Sequence, residues 1–128
     1  MTNDNLVTEM SWRNATFDAT PGALDILTRE KVVAYNGFDP SAASFHIGNL
    51  VPIMGLVRLQ RHGHSPIGLI GGGTGMIGDP GGRNDERPLL TVQQVEENVA
   101  GLRTQMEKFL DFLFLLSRKS AANRSRRW

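Results

Sequence analysis

Lys31-Val32-Val33-Ala34-Tyr35-Asn36-Gly37 and Pro66-Ile67-Gly68-Leu69-Ile70-Gly71 decide the fold of this chain. Each is a short apolar run of strand length closed by glycine. A run without polar alternation suits a strand buried on both faces. Between them, from about His46 to Arg61, Leu50, Ile53, Met54 and Val57 recur at helical spacing. Pro52 is tolerable there because it falls in the first turn or so. His62-Gly63-His64 is the expected stop. Two buried strands joined by a helix imply a parallel crossover, which places the chain in the α/β class with a doubly wound character.

Outward from this unit the signals vary. Thr91-Val92-Gln93-Gln94 has threonine at a cap and glutamine three residues on, a capping box. It predicts a long helix with Val92, Val95, Val99, Leu102, Met106, Phe109 and Leu113 on one stripe. Upstream, Thr20-Pro21 predicts a short helix with proline in its first position and Leu24 and Leu27 inward. Residues 1–19 read as an arm with one helical turn, in which Met10, Trp12 and Phe17 are apolar islands. The body of the fold is expected over residues 20–116. Two strands are few for a parallel sheet, which wants neighbours on its edges and helices on both faces.

The 128 residues fit one domain. Hydrophobic residues make up 40%, and the longest apolar run, Phe112 to Leu116, is far below the roughly 20 residues that cross a bilayer. No membrane partner is expected. No basic start leads into an apolar block at the N-terminus, and there is no cysteine, so a cytoplasmic setting is expected. The net charge of +1 hides an asymmetry. Residues 117–128 hold five basic side chains and no acid, which leaves residues 1–116 with nine basic against thirteen acidic groups. This basic tail is expected to lie outside the fold, as a frameshift or truncated reading would leave it.

Gly73-Thr74-Gly75-Met76-Ile77-Gly78 matches the dinucleotide-binding spacing, but Asp79-Pro80-Gly81-Gly82 follows and breaks the helix that such a site needs. The same Asp79-Pro80 stands where a P-loop requires lysine and a hydroxyl. A glycine-lined floor at a strand's C-terminal end remains, with Thr74 and Asp79 as its polar groups. The stronger candidate is Tyr35 to Leu50. Taking Ser44 as a helix cap puts His46, Gly48 and Asn49 in a first turn, where free N–H groups favour an anion. Gly48 keeps that turn bare for a flat or phosphorylated ligand. Composition alone reads the same residues as a turn, a routine cap and an exposed histidine. His62 and His64 flank a turn and read as solvated; with no cysteine and no third ligand near them, no protein-bound metal is expected.

Tyr35 to Leu50, followed by Gly71 to Pro80, closely resembles the bacterial tyrosyl-tRNA synthetases of class I. His46-Ile47-Gly48-Asn49 is similar to their HIGH signature, with asparagine last. The likeness runs from about Trp12 to Phe112 and includes Gly63-His64 and Phe109-Leu110-Asp111-Phe112. Tryptophanyl synthetases share the fold, but Tyr35 and the Gly78-Asp79-Pro80 ending favour the tyrosyl branch. The resemblance implies the first strand-helix-strand-helix portion of a partial, Rossmann-like parallel sheet. It also implies activation of tyrosine with ATP, brought in with Mg²⁺, to tyrosyl-adenylate, then transfer to tRNA(Tyr).

By the same resemblance, Tyr35 would bond the substrate phenol and Asp79 its ammonium, with Gly37, Asp39 and Thr74 lining the tyrosine and adenylate floor. Asn36 would meet the ribose. Ser41 and His46 would donate to the ATP phosphate as charge builds. Gly48 would make room for adenine, and Asn49 would contact the nucleotide where the family has a second histidine. Arg83 and Arg87 match basic positions that close on pyrophosphate in the family; composition alone makes them a solvated loop. The family is homodimeric, but no dimer-forming segment, KMSKS-type loop or anticodon-binding domain is recognisable in these residues. The chain by itself is therefore expected to be inactive. Two other readings stay open: a non-catalytic nucleotide-binding fragment, or a small RNA-binding module using the basic tail.

Overall fold

The computed structural model describes residues 5–72 and 90–111. Strand β1 (Val33–Phe38) and strand β2 (Ser65–Ile70) lie side by side as a parallel pair, Val33 opposite Ser65 and Phe38 opposite Ile70. Among the described residues four α-helices accompany them: α1 (Leu6–Trp12), α2 (Ala23–Arg29), α3 (Leu50–Arg61) and α4 (Val92–Met106). A single 3₁₀ turn, Ile47–Asn49, leads into α3. The architecture is the α/β, partly Rossmann-like one expected, since α3 crosses between two parallel strands.

The connection from α3 to β2 has a definite geometry. His62 caps the helix, and Gly63 takes φ +79°, a conformation that costs other residues more. The Gly63 N–H donates to the Gln60 carbonyl and the His64 N–H to the Leu59 carbonyl, both at 2.9 Å. This pair of bonds is a Schellman motif. The Ser65 N–H then donates to the Val32 carbonyl, so β2 starts in register the moment the helix ends.

The core is one-sided. Phe38, Ile53, Leu56, Val57, Met106 and Leu110 form a single buried cluster, with Phe45, Leu50, Met54 and Leu59 packed against it. Met106 lies directly over Gly68, where an added Cβ would sit 2.0 Å from its sulfur. Both α3 and α4 therefore pack on one face of the sheet. On the other face Val33, Tyr35, Ile67 and Leu69 are exposed. The expectation of strands buried on both faces is thus not met: burial alternates along β1, because no described element lies over its outer face.

Several local expectations also change. The second helix begins at Leu50 rather than His46, behind the 3₁₀ turn. Helix α2 begins at Ala23 with Gly22 as its cap, and the Thr20 carbonyl accepts only a turn bond from Ala23. None of its residues is buried; Leu27 is half-buried and Leu24 exposed. The arm holds a helix of two turns, capped by the Asn5 side chain and anchored by buried Leu6. The Thr91 capping box forms as expected, with side chains and backbone bonded in both directions. Its helix stops at Met106, so the register changes: Leu110 is buried and Phe109 exposed, while Val92 is also exposed and Leu113 lies outside the described residues.

The histidines expected in solvent are not there. His64 is 1% exposed, and its Nδ1 accepts from the Val32 N–H at 3.4 Å. His62 meets Glu9 at 2.7 Å. Glu9 also takes Arg13 at 2.8 Å and Arg58 at 3.4 Å, so one carboxylate ties α1 to the end of α3. The hydrogen bonds from His62 and then Arg13 hold the Glu9 carboxyl below its ordinary range. Among the described residues no helix is long and apolar enough to cross a membrane.

Candidate functional site

The two strand tips adjoin. The Gly71 N–H donates to the Phe38 carbonyl at 3.0 Å, so the glycine run leaves β2 beside the point where Asp39 leaves β1. Strand periodicity puts Tyr35 and Gly37 on the open face, with Ile67 and Leu69 beside them in register. Tyr35 is 74% exposed, and nothing lies within 4 Å of a Cβ built on Gly37. A flat aromatic group therefore has access to a bare strip of backbone next to a phenol. Asn36 has the opposite parity, and its amide donates to the neighbouring Gly37 carbonyl at 3.1 Å. The structure thus brings Tyr35 and Gly37 together and leaves Asn36 on the helix-covered face.

Asp39 and Ser41 follow the strand as exposed residues, with buried Pro40 between them. The chain then folds back: Phe45 meets Phe38 edge to face, with ring centroids 5.2 Å apart. That contact returns the loop to the tip of β1, and His46 begins there.

His46, not Ser44, is the cap. Its Nδ1 accepts from the Gly48 N–H at 3.0 Å, and its own N–H donates to Asn49 Oδ1 at 3.0 Å. These two bonds are a capping box built from histidine and asparagine. The chemistry that follows is specific. A ring nitrogen that accepts carries no proton, so in the neutral ring Nε2 is the N–H donor. Asn49 has its oxygen occupied and its NH₂ left over. Both side chains therefore present donors, and a ligand here should be an acceptor.

Gly48 gains a reason beyond room for a ligand. A Cβ there would come 2.9 Å from His46 Cε1 and 3.1 Å from Nδ1. Any larger residue displaces the imidazole from its cap. Thr74, Asp79, Arg83 and Arg87 lie outside the described residues.

Sequence reasoning missed the polar edge of α4. The Asn98 amide donates to the Pro40 carbonyl, and the Phe45 N–H donates to Gln105 Oε1, both at 2.9 Å. A glycine inside a long helix, Gly101, was the available signal, because it costs about 1 kcal/mol against alanine unless something approaches closely.

A parallel strand pair joined by a crossover helix, with a second helix on the same face, is the start of a Rossmann-like α/β domain. Residues 27–120 match the family of tRNA synthetases class I (W and Y), and the chain belongs to it, as the N-terminal portion of a tyrosyl-tRNA synthetase catalytic domain. It is 51% identical to a tyrosine--tRNA ligase of Roseiflexus castenholzii over 84% of this chain and 25% of that one. To the tyrosine--tRNA ligase of Staphylococcus carnosus it is 53% identical, over 88% of this chain and 27% of the other. The crystal structure of a C-terminally truncated Aspergillus nidulans mitochondrial tyrosyl-tRNA synthetase superposes with a TM-score of 0.66 at 31% identity, covering 81% of this chain and 30% of that one. The chain thus spans about a quarter of the length of the curated relatives it matches.

Proposed function

We propose that this chain carries the tyrosine-facing strand and the ATP-phosphate turn of a tyrosine--tRNA ligase site, whose reaction joins the tyrosine carboxylate to the α-phosphate of ATP with release of pyrophosphate, then passes the tyrosyl group to tRNA(Tyr) with release of AMP. The observation that carries the reading is the His46–Asn49 capping box at the tip of the strand bearing Tyr35. Attack of the tyrosine carboxylate on the α-phosphate pushes negative charge onto the phosphate oxygens. Fixed donors aimed at them stabilise that charge without reorganising. In this reading His46 Nε2–H and the Asn49 amide supply such donors, Ser41 adds a hydroxyl, and Gly48 leaves the turn open to adenine.

Tyr35 would meet the phenol of the substrate. A site built to bond a hydroxyl rejects phenylalanine because its own polar group is left unpaired, tyrosyl-tRNA synthetases being the familiar example of this rule. Gly37, Asp39 and Thr74 would line the floor, with Asp79 for the ammonium and Arg83 and Arg87 for the pyrophosphate. Mg²⁺ would arrive with ATP as part of the substrate.

Calorimetric titration of the chain with non-hydrolysable tyrosyl- and phenylalanyl-adenylate analogues tests the reading. Tighter binding of the tyrosyl analogue, lost in Tyr35→Phe, is expected; equal binding of the two would overturn it. Tyrosine-dependent pyrophosphate exchange by the 128-residue chain is expected at background, since half a constellation does not orient both reactants.

A further inference from the structure

We infer that one edge of α4, formed by Asn98, Gly101 and Gln105, positions the phosphate-binding loop, and through it the His46 ring. The inference rests on the reading of His46 as a phosphate donor.

The loop between β1 and the 3₁₀ turn has little burial of its own. Ser41, Ala42, Ala43 and Ser44 are all exposed, and only Pro40 and Phe45 at its ends are covered. Its backbone is instead held at three points by a single helix. Asn98 donates to the Pro40 carbonyl, at the start of the loop. Gln105 accepts from the Phe45 N–H, at its end. Between them Gly101 lies so close to the loop that an added Cβ would be 2.4 Å from the Ala43 carbonyl oxygen.

Positions 98, 101 and 105 share one helix edge, a turn and then two turns apart. They run beside the buried stripe of Val95, Leu102 and Met106 that locks α4 to the sheet. The core thus fixes α4, α4 fixes the loop, and the loop delivers His46 to its cap. Asn98 and Gln105 are positioning residues, since the groups they bond are backbone amides and carbonyls rather than a ligand.

The test uses nitrogen-15 NMR on the purified chain. Amide exchange at Gly48 and the nitrogen shifts of the His46 ring are the informative readouts, because the Gly48 N–H and the His46 Nδ1 are hydrogen-bonded to each other and not to α4. Asn98→Ala and Gln105→Ala are expected to speed Gly48 exchange by about tenfold and to blur the single tautomer of His46. Gly101→Ala should do the same by pushing the loop outward. Gln105→Glu keeps an acceptor and should restore wild-type behaviour at neutral pH. Arg103→Ala, on the same helix but paired with Glu107, should change neither readout.

Wild-type Gly48 exchange and His46 shifts in folded Asn98→Ala and Gln105→Ala chains would overturn the inference, as would an equal response in Arg103→Ala. A separate arm adds ATP. If the wild-type chain gives no shifts at Gly48 and Asn49 while the α4 variants still loosen the loop, the phosphate reading of His46 fails and the pinning stands.

Discussion

The two faces of the β1–β2 pair share the same residues in alternation and have opposite fates. One face packs Phe38 and Gly68 under α3 and α4, where Ile53 is completely buried and Met106 is 1% exposed. The other leaves Val33, Tyr35, Ile67 and Leu69 in the open. Because side chains along a strand alternate, a single segment can anchor the fold and present a recognition surface at once. The covered face supplies the stability. The open face, with the donor-rich turn at its end, is where the proposed site lies.

Substitutions on the two faces should therefore separate stability from binding. Ile53→Ala removes a fully buried side chain from the covered side and should cost about 2–5 kcal/mol, read as a lowered urea midpoint. For a small domain that is a large part of the total. Gly48→Ala should cost about 1 kcal/mol by breaking the His46 cap, while weakening the adenylate analogue by more than that stability loss. Equal losses in the two would mean that the turn is only structural.

The Glu9 cluster, away from both faces, gives a pH signature. Its carboxyl is held below the ordinary 4.5 by His62 and then Arg13. A depressed carboxyl stabilises above the unfolded value, and the gain is lost as pH falls through the lower folded value. Wild type should thus exceed Glu9→Gln in melting temperature at neutral pH, and the two curves should converge in acid, below about 4. Smallest of all, Tyr35→Phe should change stability by no more than about 0.5 kcal/mol, given 74% exposure, yet abolish the preference for a tyrosyl ligand.

The parallel pair, α3 and the Thr91 cap were legible because each rests on local chemistry: apolar runs, helical spacing and a four-residue box. The turn on which the proposed site rests was legible for the same reason, since His46 to Asn49 is contiguous. What stayed hidden depends on contacts distant in sequence. Glu9 meets His62 and Arg58 only after α1 docks on α3. Asn98 and Gln105 look like surface residues until the loop lies against them. Burial of both strand faces was misjudged because an apolar run does not say whether a second layer is present over it. Ser44 lost the cap to His46 because an imidazole nitrogen can accept from the turn as a hydroxyl does.

The most direct trial of the account is to map a tyrosyl-adenylate analogue onto the chain by amide shifts. Changes concentrated at Tyr35, Gly37, Gly48 and Asn49 are predicted, with Leu6 to Arg29 unmoved. Shifts centred on Leu6 to Arg29, or none at the strand tip, would contradict it.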